Sequence, residues 1–336
     1  MRIGILSFAH LHAEGYAALL KTWPSVELVG FSHEGAEEAR HYAAAYGLRW
    51  FGRPQDLLTE GLDGVIVCSE NARHLELVEQ AAEAKVSILC EKPIEVSLEA
   101  AQRMRAACER NGVQFMTAFP MRFAPAAQSV QAAVRSGELG AIYGVNGINH
   151  SEIPKAHRAW FADKERAGGG AVMDHVVHLA DLLRWYFGAE VTEVYAEVDN
   201  LFYPQEVAVD TAGLLLVALE NGVQASIDCS WSRPTWYPRW GHLKMEVVGE
   251  RGTVVMDAFA QHLHLYSRGA ARPYSWPGFG PNPDAALLQE WLSSLREHRA
   301  PSVTWNDGYQ ALRVALAAYQ SAQAQAPVKI PHPALG

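Results

Sequence analysis

The apolar positions follow two rhythms, and the change between them divides the chain. Over the first 120 residues, short and nearly continuous apolar runs alternate with helical patterns. RIGILSF (2–8), VELVGFS (26–32), LDGVIVCS (62–69), VSILC (86–90) and VQFMTAF (113–119) read as strands covered on both faces. Between them lie helix-forming stretches from His12 to Lys21, over 35–47, over 72–84 and from Ser97 to Arg110. Successive βα units of this length predict a parallel sheet with right-handed crossovers. After Pro125 the rhythm changes. A helix around 126–136 leads into the alternating run IYGVNGINH (142–150), and the helix AVMDHVVHLADLLRWYFG (171–188) ends at Gly188. Strands then follow at 191–198, 208–219, 223–231, 242–248, 253–256 and 262–266, with ENG (220–222) and GERG (249–252) as hairpin turns. Two helices, near 284–298 and 308–324, close the chain. The expected fold is α/β: a doubly wound parallel sheet over 1–120, then an α+β domain with an open, largely antiparallel sheet over 121–336.

Composition narrows the functions that such a fold can serve. The 336 residues are 49% apolar and 19% charged, with 28 basic against 37 acidic residues and a net charge of −9. No basic footprint for nucleic acid and no polybasic membrane patch is present. Cys68, Cys90, Cys108 and Cys229 share no zinc-like spacing, which reads as reduced core thiols in a cytoplasmic protein. No stretch approaches the roughly 20 apolar residues of a membrane span.

Candidate chemistry sits where strands end. Glu91-Lys92-Pro93 follows the strand 86–90, and ligands of open parallel sheets bind beyond the carboxyl ends of strands, so Lys92 is aimed at the cleft. Asp174 and His178 are four residues apart within one helix, so carboxylate and imidazole share a face, as a proton shuttle requires. His175 points off that face and reads as incidental, and Asp181 one turn later reads as a local packing residue. The preceding glycines of AGGG (167–170) allow close backbone approach to a ligand. Asn71 and His74 in SENARH (69–74) lie in a loop after a strand, where Asn71 can meet a ribose or nicotinamide and His74 starts a helix. Arg122 in FPMRFAP (119–125) can meet substrate or join the domains. The aromatic segment WSRPTWYPRWGH (231–242) suits either a sugar-stacking wall or a subunit interface.

The stretch ILSFAHLHAEGY (5–16) is open to two readings. His10 and His12 suit the first strand of a metal-dependent hydrolase barrel. The same residues suit a nucleotide-binding strand–turn–helix that has lost its glycines. A barrel needs eight βα units and ligands on several later strands. The hairpins after residue 125 disfavour it, and no converging ligand set is expected, hence no metal.

These motifs, in this order, resemble the Gfo/Idh/MocA oxidoreductases, the glucose–fructose oxidoreductase and inositol dehydrogenase family. EKP (91–93), SENARH, MRFAP (121–125) and GGGAVMDHVVHLADLLRWYFG (168–188) match its signature segments, and VVGERGTVVMD and WNDGYQALRVALAAYQSA sit where it has similar text. The resemblance covers essentially the whole chain. It implies an N-terminal Rossmann domain, NAD or NADP as cofactor, and hydride transfer at a carbinol carbon of a sugar, polyol or cyclitol. It also implies a homo-oligomer, dimer or tetramer, built through the C-terminal sheet. Carried onto this chain, Lys92, Asp174 and His178 form the catalytic group, and with Arg122 they contact substrate. Cofactor contacts fall on Ser7, Phe8, Ala9, His10, Leu11, Ser32, His33, Ser69, Asn71, His74, Glu91 and Lys92. The main departure is the first turn, where Ser7 and Ala9 stand near glycine positions and Phe8 and His10 add bulk. A second departure is His33-Glu34 where an acidic residue ends the second strand, which leaves NAD against NADP open. A nucleotide-binding protein of the same fold without turnover is the alternative function.

Overall fold

In a computed structural model that describes residues 1–269 and 272–331, six parallel strands form the first sheet. They are β1 (Arg2–Leu6), β2 (Glu27–Ser32), β3 (Trp50–Phe51), β4 (Gly64–Val67), β5 (Ser87–Cys90) and β6 (Phe115–Thr117). The order is β3-β2-β1-β4-β5-β6. Reversal at β1/β4 makes the switch point of a doubly wound fold, with a crevice beyond the carboxyl ends of those two strands. Helices α1 (His12–Leu20), α2 (Ala36–Tyr46), α3 (Pro54–Leu58), α4 (His74–Glu83) and α5 (Leu98–Asn111) supply the crossovers. Strand β3, at the sheet edge, and helix α3 are absent from the hydrophobic pattern because each is only a few residues long.

Helix α6 (Pro125–Arg135) leads to the second sheet, made of β7 (Ile142–Ser151), β8 (Val191–Asp199), β9 (Ala212–Leu219), β10 (Gln224–Ser230), β11 (Gly241–Gly249) and β12 (Gly252–Asp257). A ribbon of β13 (Leu265–Tyr266) and β14 (Tyr274–Ser275) follows. The final strand β15 (Val328–Lys329) joins the second sheet beside β8, giving the order β12-β11-β7-β10-β9-β8-β15. Pairing in it is antiparallel except between β7 and β10. The four-residue helix α7 (Lys164–Ala167) and the long α8 (Ala171–Phe187) lie between β7 and β8. The closing helices are α9 (Pro283–Arg296) and α10 (Trp305–Ala324). Both return to the first sheet's side: Trp291 of α9 is fully buried against Gly64 of β4, and Gly308 of α10 meets Thr117 of β6.

Three expectations change. The strand expected from residue 208 begins at Ala212, because Asp210 is drawn to the start of α8. Its carboxylate accepts from Gly170 N and Val172 N, both at 2.8 Å, and its carbonyl from Ala171 N at 3.0 Å. The strand expected over 262–266 shrinks to an isolated bridge at His262 and the two residues of β13. The glycines before α8 admit protein, not ligand. A Cβ on Gly169 would stand 2.0 Å from Tyr319 Oη, and one on Gly170 1.9 Å from the Asp210 carbonyl oxygen. Among the described residues no helix is long and apolar enough to cross a membrane.

Candidate active site

The ends of β1 and β5 and the first turns of α8 converge on one cavity of about 240 Å³. Its walls include His10, His12, Lys92, Asp174, His175 and His178. Lys92 lies two residues past the end of β5, and its Nζ donates to Asp174 Oδ1 at 2.8 Å, an ion pair with side chains only 5% and 14% exposed. Asp174 Oδ2 faces His175 Nε2 at 3.3 Å and accepts weakly from Trp231 Nε1 at 3.4 Å. Burial pushes the Asp174 carboxyl up, but the Lys92 and His175 charges outweigh it and hold the group well below the usual carboxylate range. An ionised Asp174 therefore fixes the ammonium at the cavity wall.

His178 lines the same cavity one turn on, but it does not bond to Asp174. Its Nδ1 is buried with no hydrogen-bond partner among the described residues, and its ring meets Phe119 edge-on. Burial, reinforced by the Lys92 charge, lowers its pKa well below the ordinary histidine value, so the ring is neutral at pH 7. Helical spacing put both groups on one wall; it did not reveal that Asp174 turns to Lys92. His175, read as incidental, belongs to the site: Ser151 Oγ lies 3.1 Å from its Nε2, and Asn149 Nδ2 donates to its carbonyl at 3.2 Å. Asn149, Ser151, His242 and Asp284 also line the cavity, and no local motif marks them because three separate elements bring them in. Trp240 of the aromatic segment joins the wall, whereas Trp236 is 76% exposed.

Arg122 is placed differently from the expected substrate contact. It is buried and committed to protein, donating to Asp181 Oδ2 at 2.8 Å and Oδ1 at 2.5 Å, and to Asp307 Oδ1 at 2.8 Å. Arg184 donates to Asp307 as well, at 3.1 Å. This buried network ties α8 to α10 and takes both Arg122 and Asp181 away from ligand.

The first turn keeps one feature of a glycine loop: Ser7 holds φ 74°, the left-handed region that favours glycine. Its amides are otherwise engaged. Phe8 N donates to His33 Nδ1 at 3.2 Å, Ala9 N to Ser7 Oγ at 3.1 Å, His10 N to the Cys68 carbonyl at 2.8 Å, and His12 N to His10 Nδ1 at 3.2 Å. Phe8 is a core residue, packed on Phe31 and Tyr42 at centroid distances of 4.7 Å. The segment after β7 lies over the turn. Arg158 Nε and Trp160 Nε1 both donate to the Ala9 carbonyl, at 3.0 and 2.9 Å, while Trp160 and Phe161 pack against Ala9 and Leu11.

The other expected cofactor residues are turned inward too. Ser32 and Ser69 are buried, and His33 Nε2 pairs with Glu38 at 2.9 Å. Asn71 Nδ2 donates to the Ala167 carbonyl at 2.9 Å, and His74 Nδ1 lies 3.1 Å from the Ile94 carbonyl. Glu91 is fully buried: Tyr16 donates to its Oε1 at 2.7 Å, and His12 Nδ1 stands 3.0 Å from the same atom. Burial pulls Glu91 up, yet His10 and His12 hold it well below its ordinary value. His10, His12 and Glu91 thus converge, contrary to the expectation that no ligand set would; the barrel fold proposed with the two histidines is excluded by the sheet order.

Known proteins share this architecture. Residues 2–119 match the family described as an oxidoreductase family with an NAD-binding Rossmann fold, and residues 127–255 match the GFO/IDH/MocA C-terminal domain. The chain is 29% identical to an uncharacterised oxidoreductase, YrbE, of Bacillus subtilis (strain 168), covering 98% of this chain and 96% of the relative. It is 28% identical to D-apiose dehydrogenase of Paraburkholderia graminis, covering 95% and 86%. A solved structure, GenD2 from gentamicin A biosynthesis in complex with NAD, superposes with a TM-score of 0.89 at 22% identity over 98% and 96% of the two chains, a likeness of fold. By sequence over both halves and by fold over its length, the chain belongs to the Gfo/Idh/MocA family of NAD-binding oxidoreductases.

Proposed function

We propose that the protein is an NAD-dependent dehydrogenase or reductase acting on a CH–OH carbon of a sugar, polyol or cyclitol, with Lys92, Asp174 and His178 as its catalytic group. The observation that carries this reading is the Lys92–Asp174 ion pair beside a neutral His178, its Nδ1 without a hydrogen-bond partner among the described residues, on one wall of a cavity at the switch point. A cavity of about 240 Å³ lies below the roughly 300–1,000 Å³ of drug-sized ligand sites, so it suits one ring bearing hydroxyls.

The family implies NAD, and the residues fit it at the nicotinamide end. The strand order, the left-handed Ser7 and a cavity bounded by Leu11, His12 and Lys92 supply the frame. At the pyrophosphate end the turn Ser7–Leu11 would hold the cofactor once the segment from Arg158 to Ala167 releases Ala9 and Asn71. Bound there, NAD supplies the hydride acceptor or donor. Lys92, fixed by Asp174, donates a hydrogen bond to the reacting oxygen and stabilises negative charge on it. Neutral His178 takes the hydroxyl proton in the oxidising direction and returns it in the other. His175 and Trp231 position Asp174.

Tyr143, Leu214, Leu216 and Val255, each more than half exposed on the second sheet, support a homo-oligomer through that face. Four free, buried cysteines accord with a reducing, cytoplasmic setting. The function is tested by calorimetric titration with NAD and NADP, followed by a screen of sugars, polyols and inositols at the nicotinamide absorbance band. Saturable dinucleotide binding with turnover of a polyhydroxy substrate is expected. Binding without turnover of any of them would make the protein a nucleotide-binding member of the fold instead.

A further inference from the structure

The turn that replaces the glycine loop carries two imidazoles, and the fold delivers a carboxylate to them. Strands β1 and β5 flank β4, so their carboxyl ends lie about 10 Å apart, a gap that a histidine and a glutamate can span. One potential ligand atom from each of His10, His12 and Glu91 lies within 4.8 Å of the others. Glu91 Oε1 is 3.0 Å from His12 Nδ1, and Glu91 Oε2 is 3.8 Å from His10 Nε2. A second observation points the same way. His10 is 1% exposed, yet its Nε2 has no hydrogen-bond partner among the described residues and faces that carboxylate. Both histidines also line the cavity that holds Lys92, Asp174 and His178.

We propose that His10, His12 and Glu91 bind one divalent transition-metal ion whose remaining coordination positions open into the active-site cavity. Two imidazoles and one carboxylate are donors suited to zinc, iron(II) or manganese, and three protein ligands with an open position is the arrangement of reactive metal sites, not structural ones. Tyr16, donating to Glu91 Oε1 at 2.7 Å, orients the ligating carboxylate from behind. Bonds of about 2.0–2.1 Å in a tetrahedron place ligand atoms about 3.3 Å apart, so the ion draws His10 inward and sets His12 Nδ1 slightly back from Glu91 Oε1. His10 must also change tautomer. Its Nδ1 accepts the His12 amide at 3.2 Å, which leaves the proton of the neutral ring on Nε2. Coordination at Nε2 moves that proton to Nδ1 and gives up the amide bond, and coordination at His12 Nδ1 likewise displaces the proton that it donates to Glu91 Oε1. The open positions face polyhydroxy substrate, whose adjacent hydroxyls are bidentate oxygen donors. Because a pyrophosphate in this fold rests on the same turn, the ion and a dinucleotide meet at His10–His12.

The untagged full chain, stripped with chelator and titrated calorimetrically with zinc chloride, tests the site, and cobalt(II) chloride adds a visible d–d band as a spectroscopic signature. One equivalent should bind at micromolar concentration or below. His12→Asn should weaken binding more than about 100-fold, and Tyr16→Phe by about 10–100-fold, the usual effect of removing a ligand's outer partner. Glu91→Gln should behave like His12→Asn; if burial of that position prevents folding, the His12 and Tyr16 variants still decide. Absence of saturable binding up to millimolar metal, or unchanged binding in His12→Asn, overturns the site. The same preparations are titrated with NAD. Dinucleotide turnover without metal binding sinks this inference alone, whereas metal binding without dinucleotide binding sinks the dehydrogenase reading alone.

Discussion

Replacing Arg122 by methionine separates a structural role from a substrate role more sharply than any other single change. The guanidinium sits 2.5–2.8 Å from the Asp181 carboxylate, and the two side chains are 6% and 1% exposed. Opposite charges 2.8 Å apart attract by about 6 kcal/mol at an effective dielectric of about 20. Removing one member of such a pair costs about 3–5 kcal/mol, because the other is left buried and uncompensated. Arg184 still reaches Asp307, so the penalty concentrates on Asp181. Burial holds the Asp181 carboxyl up at about 6 even with Arg122 present, and without it the carboxyl rises further. In the variant's folded state Asp181 then keeps its proton above pH 6, while the unfolded carboxyl, with its ordinary pKa, has lost it. Stability therefore falls as pH rises. Each pH unit over which only the variant stays protonated adds about 1.4 kcal/mol to the cost. Urea unfolding of wild type and Arg122→Met at both pH values reads this directly. The double variant Arg122→Met/Asp181→Leu should recover part of the loss. A cost under about 1 kcal/mol that is flat with pH, together with a kcat/KM lowered more than 100-fold, would refute the reasoning and return Arg122 to the substrate.

Other outcomes follow from the same geometry. Since burial and Lys92 lower the His178 pKa, kcat/KM should show no limb from His178 as pH falls through 6.5, the ordinary histidine value; an acid limb at or above that value that persists in His12→Asn, whose imidazole is shifted up, contradicts a neutral His178. In stability terms the lowered value makes His178 unfavourable below the unfolded pKa, and this cost disappears as pH rises through it. Gly170→Ala, whose Cβ would stand 1.9 Å from the Asp210 carbonyl oxygen, should lose about 3 kcal/mol or more by urea denaturation. Gly188→Ala, with open space but φ 60°, should lose about 1–2 kcal/mol. Trp160→Phe removes the donor to the Ala9 carbonyl, and calorimetry should show NAD binding tightened by about 2–10-fold, the worth of one neutral hydrogen bond; weaker binding would mean that Trp160 serves the bound state.

How far these features were legible in the sequence follows from the range of the forces involved. Long apolar runs such as LDGVIVCS and the period of α8 are local signals, and they gave the strands and helices that frame the site. Lys92 could be placed at a strand end from its position after VSILC alone. The partners of Asp174 could not, because helical spacing says which residues share a face and not which way a carboxylate turns once a lysine arrives from 82 residues away. Arg122 and Asp181 illustrate the same limit: a buried pair 59 residues apart leaves no local pattern. His175 was discounted by a helical-wheel argument that treats one wall as the site, whereas β7 closes a second wall with Asn149 and Ser151. The glycines before α8 were read as a close approach to ligand, whereas the groups that approach them are Tyr319 and Asp210, brought from far along the chain.

The central claim is that Lys92 and His178 serve hydride transfer at this cavity, and one kinetic comparison tests it. With the best polyhydroxy substrate from the screen, steady-state reduction of NAD is measured for wild type, Lys92→Ala, His178→Ala and the double variant. Each single change should lower kcat/KM by about 10²–10⁴-fold with NAD affinity little altered, and the double variant should lose less than the product of the two. Turnover close to wild type in both single variants would contradict the account.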